Sequence, residues 1–321
     1  LLKHSISDRY KRDYGIGFAE DEIVVTTGAK HALFNVFNAV LNPGDEVIIH
    51  APYWVSYPDM VTLCGGTPVI VHSEKNGQFK LTAQALRGSI TDRTKIVILN
   101  NPNNPTGVVY NEDDIQEIVQ VLKDFPDIFI ISDEIYDLIY WSTSPAHILN
   151  IAPELKDRCI IVNGISKGYA MAGWRIGYSL APTDITKAMN VFQSQSLSNP
   201  CSISQYAAVE ALKIPKENLA DHVKQYQSRV KYVCQSLNDM PGISVDMPDG
   251  AFYIFADIRE FLKGSHFKSD EDFVLELLDK GKVAVIHGSA FGEPGYMRLS
   301  CAASMDDLKI AMSRIDNFIN S

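Results

Sequence analysis

The feature that most constrains this 321-residue chain is a repeated change of hydrophobic period along its first two thirds. Short apolar runs rich in Ile and Val occur at 22–26, 46–49, 68–71, 95–99, 128–131 and 159–162. A strand with one wet face alternates polar and apolar residues, whereas a run that is apolar throughout reads as a strand covered on both faces. Between such runs, residues 28–41 place Ala32, Leu33, Val36, Phe37 and Val40 on one helical face, and Asn42-Pro43-Gly44-Asp45 stops the helix. Residues 112–125 read as another helix between two strands. Strands that alternate with helices form βαβ units, so the chain is expected to be an α/β protein.

The pattern changes after about Ser198. Long helical stretches at 202–212 and 218–240, the second with Val223, Val230 and Val233, lead into shorter strands at 243–245, 251–256, 282–286 and 297–300. Helices are expected at 273–280 and 306–319. This predicts a large domain over 1–215 and a smaller α+β domain over 216–321 that includes the long connecting helix, in keeping with about 150 residues per domain. The net charge of −10 repels phosphate backbones, so nucleic acid is not an expected partner. No window approaches 18 uninterrupted apolar residues, and residues 1–12 hold no apolar signal-peptide core, so no membrane partner is expected. Five scattered cysteines with no metal-ligand spacing read as reduced thilos in a cytoplasmic protein without a metal site.

Several strand ends carry candidate chemistry. The run at 159–162 leads into Gly164-Ile165-Ser166-Lys167-Gly168, with Trp174-Arg175-Ile176-Gly177 following. Lys167 reads either as a surface lysine in a turn or as an amine partly enclosed by Met171 and Trp174, whose lowered pKa would suit it to nucleophilic work. Arg175 reads as a fixed anion contact. The run at 128–131 ends in Ser132-Asp133-Glu134-Ile135-Tyr136. That is either a solvated loop or a carboxylate at the ligand-binding end of a sheet. Asn100-Asn101-Pro102-Asn103-Asn104-Pro105-Thr106-Gly107 makes a turn on any reading. Thr26-Thr27-Gly28-Ala29-Lys30 joins a strand to a helix, whose first N–H groups attract anions. Tyr53, Trp54 and Tyr57 form an aromatic cluster, and Arg298 stands alone in an apolar strand, where a structural ion pair is the plainer reading.

Taken in order, these segments resemble the class I pyridoxal-phosphate aminotransferases, and the bacterial aspartate aminotransferases among them, from about residue 10 to 319. The resemblance implies fold type I of the PLP-dependent transferases: a mixed, mostly parallel large-domain sheet with helices on both faces, plus a smaller C-terminal domain. It implies that Lys167 holds pyridoxal 5′-phosphate covalently and shuttles a proton. Asp133 pairs with the pyridine nitrogen, Tyr136 and Asn104 donate to O3′, and Trp54 stacks on the ring. Gly28, Ala29, Lys30, Ser166 and Arg175 hold the phosphate, while Glu134 fits a structural role. Arg298 and Asn104 take the substrate α-carboxylate, Phe252 walls the site, and Lys30 either reads a distal carboxylate or contacts phosphate alone. Relatives with serine at the Gly164 position add a hydroxyl to the phosphate. The Ala51–Pro52 and Asn104–Pro105 bonds are expected to be cis.

The implied reaction is ping-pong transfer from an L-amino acid, aspartate foremost, to 2-oxoglutarate. An aromatic or broad-specificity aminotransferase, a β-lyase or decarboxylase, and the aminotransferase-like domain of a transcription regulator are the alternatives. The resemblance also implies a homodimer with a composite site. It further implies that relatives begin upstream of Leu1, with an arm, an edge of the small domain and a tyrosine for the neighbouring subunit's phosphate.

Overall fold

The computed structural model describes residues 1–72 and 79–320. Its main sheet has seven strands: β1 (Ile23–Thr26), β2 (Glu46–Ala51), β3 (Thr67–His72), β4 (Thr94–Asn100), β5 (Phe129–Asp133), β6 (Cys159–Gly164) and β7 (Gly177–Leu180), in the order β1-β7-β6-β5-β4-β2-β3. β3, β2, β4, β5 and β6 are parallel, and β7 runs antiparallel to both β6 and β1. Each expected strand of this region is present. β7 is the addition: it opens on a glycine within the lysine segment, and its short run gave no separate period.

Helices cover both faces, which is why the strands are apolar throughout. On one face α1 (Leu2–Tyr14), α5 (Glu112–Lys123) and α8 (Ser202–Leu212) pack on Val97, Leu99, Ile130, Ile161 and Tyr178. On the other, α2 (Ala29–Val40), α3 (Ser56–Leu63) and α7 (Thr183–Ser196) pack on Ile96, Ile98, Ile131, Ile160 and Val162. Successive residues of one strand therefore enter different cores, as a two-residue period requires. The shorter α4 (Ala83–Ser89) and α6 (Ile148–Ile151) complete this region.

Beyond it, α9 (Ala220–Asn238) leads to β8 (Tyr253–Asp257), α10 (Arg259–Lys263), α11 (Asp270–Glu276), β9 (Ile286–His287), β10 (Tyr296–Ser300) and α12 (Met305–Ile319). The three strands form an antiparallel sheet in the order β8-β10-β9. Two expectations need correction. Residues 243–245 are not a strand but make one bridge, Ser244 to Asp257. The strand expected at 282–286 shrinks to Ile286–His287, because the helix before it runs on through a π turn at Leu277–Gly281 and Lys282 closes it at φ 57°. No helix among the described residues is long and apolar enough to cross a membrane.

Candidate functional site

Parallel strands deliver their C-terminal residues to one rim of the sheet, where ligands of open α/β folds bind. Thr26, Ala51, Asn100, Asp133 and Gly164 all end strands at this rim. A cavity of about 280 Å³ opens there, lined by Ala29, Lys30, Trp54, Tyr57, Asn100, Asn104, Asp133, Tyr136, Ser166, Lys167 and Arg175, with Tyr253 and Arg298 coming from the three-stranded sheet. A larger cleft of about 650 Å³ lies beside β8 and contains neither Lys167 nor Asp133.

Asp133 sits at the floor. Its carboxylate accepts the Tyr57 hydroxyl at 2.5 Å and the Ile135 N–H at 3.2 Å. Burial nevertheless pushes its pKa up to about 6, with those two donors pulling the other way. Asn100 ties β4 to β5 by donating to the Asp133 carbonyl at 3.1 Å, and its side-chain oxygen accepts the Asn104 N–H at 2.8 Å. The X–Pro bonds at 51–52 and 104–105 are cis as expected, and so is Asn101–Pro102.

Lys167 lies in the turn after β6, with its ammonium 5.6 Å from the Phe252 ring centre and 6.0 Å from that of Tyr136. Burial lowers its pKa first, and the positive charges of Arg298 and Arg175 lower it further. Arg298 donates to the Asn104 side-chain oxygen at 2.9 Å, and its guanidinium lies 4.5 Å from the Tyr253 ring centre and 4.9 Å from that of Phe291. Its Nε is buried without a hydrogen-bond partner among the described residues. An orphaned charged donor in a cavity wall is suited to an anionic ligand. The plainer reading, a structural ion pair for Arg298, finds no carboxylate hydrogen-bonded to it among the described residues.

At the other end, the first N–H groups of α2 have no carbonyl four residues back. Gly28 precedes them at φ 85°, and a Cβ there would fall 2.4 Å from Arg175 Nη2. Arg175, itself at φ 57°, donates to the Ala172 carbonyl at 2.8 Å and leans over this turn. Ser166, the α2 N-terminus and Arg175 thus form a polar cradle for a small anion. Lys30 stands with its ammonium 4.9 Å from the Trp54 ring centre.

The structure corrects one expectation about this neighbourhood. Phe252 packs behind Tyr136 and Tyr253 and beside Tyr226, with the Lys167 ammonium near its ring, while Tyr253 supplies the cavity wall. Gly164 pairs with Gly177, and a Cβ there would lie 2.8 Å from the Ile176 carbonyl, so the backbone is closely packed at this place. Tyr57, Asn100 and Tyr253 were not singled out from the sequence. Tyr57 and Asn100 stood inside quoted motifs, but their roles depend on which neighbour each one meets in space. Glu134 is structural, as expected. It accepts the Ser132 hydroxyl at 2.8 Å and the Tyr10 hydroxyl at 3.2 Å, and burial pushes its pKa up to about 8.

The chain matches the aminotransferase class I and II family over residues 1–315. It belongs to that family. Among its relatives, the aspartate aminotransferase of Bacillus subtilis is 43% identical over 99% of this chain and 81% of its own length. A probable aspartate/prephenate aminotransferase of Rickettsia felis is 44% identical over all of this chain and 80% of its own. The crystal structure of an aspartate aminotransferase from Rhizobium meliloti superposes with a TM-score of 0.95 at 41% identity, covering 99% of this chain and 81% of that one. The protein is therefore an aminotransferase of fold type I, and the regulator reading gives way to an enzyme.

Proposed function

We propose that this aminotransferase uses pyridoxal 5′-phosphate to move the amino group of an L-amino acid, aspartate foremost, to 2-oxoglutarate in two half-reactions sharing one cavity. The observation that carries this reading is the convergence of Lys167, Asp133 and Arg298, from three separate parts of the chain, on that cavity. The residues present fit the cofactor. The cradle of Ser166, Arg175 and the α2 N-terminus suits a phosphate, and a buried carboxylate at Asp133 suits a protonated ring nitrogen. When bound, the cofactor supplies the electron sink for negative charge at the substrate Cα.

The chain's own residues do the rest. Arg298, with Asn104 against it, holds the α-carboxylate through its free donors and so directs the Cα–H bond. Lys167, its pKa lowered by burial and two arginines, takes that proton as a free amine and returns it on the cofactor side. Asp133 keeps the ring nitrogen protonated. Tyr136 would donate its hydroxyl to the ring oxygen, and Trp54 would pack against the ring. Lys30, beside Trp54, meets the distal carboxylate of a dicarboxylic substrate.

The names of the relatives support aspartate as donor, and they favour prephenate as a second acceptor. Exposed Val191 on α7, Leu197 just after it, and Ile203 and Tyr206 on α8 support a homodimer with a composite site. A cytoplasmic location and a division of the chain near residue 215 belong to the same proposal. Protein mixed with pyridoxal 5′-phosphate should develop a visible absorbance band. Lys167→Ala should abolish it and cut transamination at least about 100-fold. Aspartate should outrun alanine and phenylalanine with 2-oxoglutarate, with prephenate assayed alongside. A wild-type protein without the band rejects the proposal.

A further inference from the structure

Tyr253 occupies a position that none of these roles uses. It opens β8 opposite Ser300 of β10, and two residues on, Phe255 stands opposite Arg298. Side chains two apart share a face of a strand, and a cross-strand diagonal is within reach of long side chains. Tyr253 and Arg298 are therefore neighbours by register, and the guanidinium lies 4.5 Å from the ring centre, within cation–π range. At its other end the Tyr253 hydroxyl meets that of Tyr136 at 2.9 Å. Tyr253 thus links the arginine on one sheet to the tyrosine after β5 on the other.

A phenol has one proton to give, so in this pair one hydroxyl donates and the other accepts. The surroundings choose. Tyr253 carries the Arg298 cation on its ring, which favours electron withdrawal from its hydroxyl. Tyr136 lies near the Asp133 carboxylate, and burial, Tyr253 and that charge hold its pKa well up against the smaller opposing pull of Arg298, making it the better acceptor. If Tyr136 accepts from Tyr253, its own proton is free to point into the cavity, and a hydroxyl that accepts one bond donates a stronger one. The titratable and charged groups around the pair are Tyr57 from α3, Asp133 from β5, Lys167 after β6, Tyr226 from α9 and Arg298 from β10.

We infer that Tyr253 is a positioning residue: its hydroxyl donates to Tyr136 and turns the Tyr136 proton into the cavity, while its ring seats Arg298. This rests on the function proposed above. Tyr136 then stabilises negative charge on the cofactor's ring oxygen, and losing the Tyr253 hydroxyl weakens that stabilisation without moving Arg298.

The test is a pH titration of the visible absorbance of protein loaded with pyridoxal 5′-phosphate, together with the Kd for maleate as an unreactive dicarboxylate. Tyr253→Phe should raise the titration midpoint by about one pH unit, the size of one charge-assisted hydrogen bond, and leave the maleate Kd within about twofold. Tyr253→Leu should raise the midpoint similarly and also weaken maleate about tenfold, through the lost cation–π seat. In a Tyr136→Phe background, Tyr253→Phe should add no further shift, since it acts through Tyr136. A Tyr253→Phe midpoint equal to wild type, or additive shifts in the double variant, overturns the hydroxyl role. Maleate binding by Tyr253→Leu equal to that by Tyr253→Phe overturns the ring role. In both cases a wild-type band leaves the proposed function standing, whereas its absence rejects that function and this inference together.

Discussion

Asp133 bears the largest electrostatic cost on the cavity floor. Its folded pKa of about 6 lies above the ordinary value of 3.8, because burial outweighs the bonds from Tyr57 and Ile135. A carboxyl with a raised folded pKa contributes its full stability below the unfolded value and loses it as pH rises through the folded one. In the protein without cofactor, wild type should therefore weaken relative to Asp133→Asn between about pH 4 and pH 6. The gap should level off above that at on the order of 3 kcal/mol. Denaturant unfolding of both proteins at pH 4, 5, 6 and 7 measures this. Glu134, whose pKa also rises, titrates in both and cancels. A gap that does not change with pH would contradict the cost assigned to Asp133. Asp133 was legible in the sequence because it ends an apolar strand. Its raised pKa was not, because the burial that raises it and the Tyr57 bond that opposes it both arise only in the folded chain.

At the scale of elements, the loop after β5 is held from behind by α1. Asp137 accepts from Arg9, from the Tyr14 hydroxyl at 2.8 Å and from Asn163 at 3.0 Å, and Arg9 also donates to the Tyr178 hydroxyl at 2.7 Å and to Asp13 at 3.3 Å. Arg9 is fully buried, and burial works against its charge, yet Asp137, with Tyr178, Tyr14 and Tyr169 adding, raises its pKa. The loop that bears Tyr136 therefore has a charged, hydrogen-bonded backing rather than an apolar one. Removing one member of a buried pair leaves the other charge uncompensated, so Arg9→Met should cost about 3–5 kcal/mol in a denaturant or thermal melt. A loss under 1 kcal/mol would mean that Asp137 finds other partners. Nothing in the sequence marked Arg9, because basic residues are common on an exposed helix face and its partners lie 128 and 169 residues away.

For the whole molecule, the site exists because two sheets meet. Asn104 follows β4 of the large sheet, and Arg298 belongs to β10 of the small one. A dicarboxylate held by both should stabilise the cofactor-loaded protein by mass action, about 2.7 kcal/mol at 100 times its Kd. Maleate should thus raise the Tm of wild type and leave that of Arg298→Leu unchanged; an equal rise in both would place the anion elsewhere. The two-sheet plan and the strand-end residues were readable in the sequence, because hydrophobic period and turn chemistry are local. The choice of Tyr253 over Phe252 as wall was not. Adjacent residues of a strand face opposite ways, and only the packing of β8 against Tyr136 says which one looks inward. β7 and the helices α3, α4 and α7 were missed for a related reason. Their stability comes from the sheet they cover more than from their own pattern.

By itself, the sequence determined the αβ alternation, the residues at the parallel strand ends and the family they indicate, since each depends on a few neighbouring residues. Tertiary structure decided the raised pKa of Asp133, the brace behind Tyr136 and the contact of Tyr253 with both Tyr136 and Arg298. Those depend on burial and on distances between residues far apart in the chain, which no local pattern encodes.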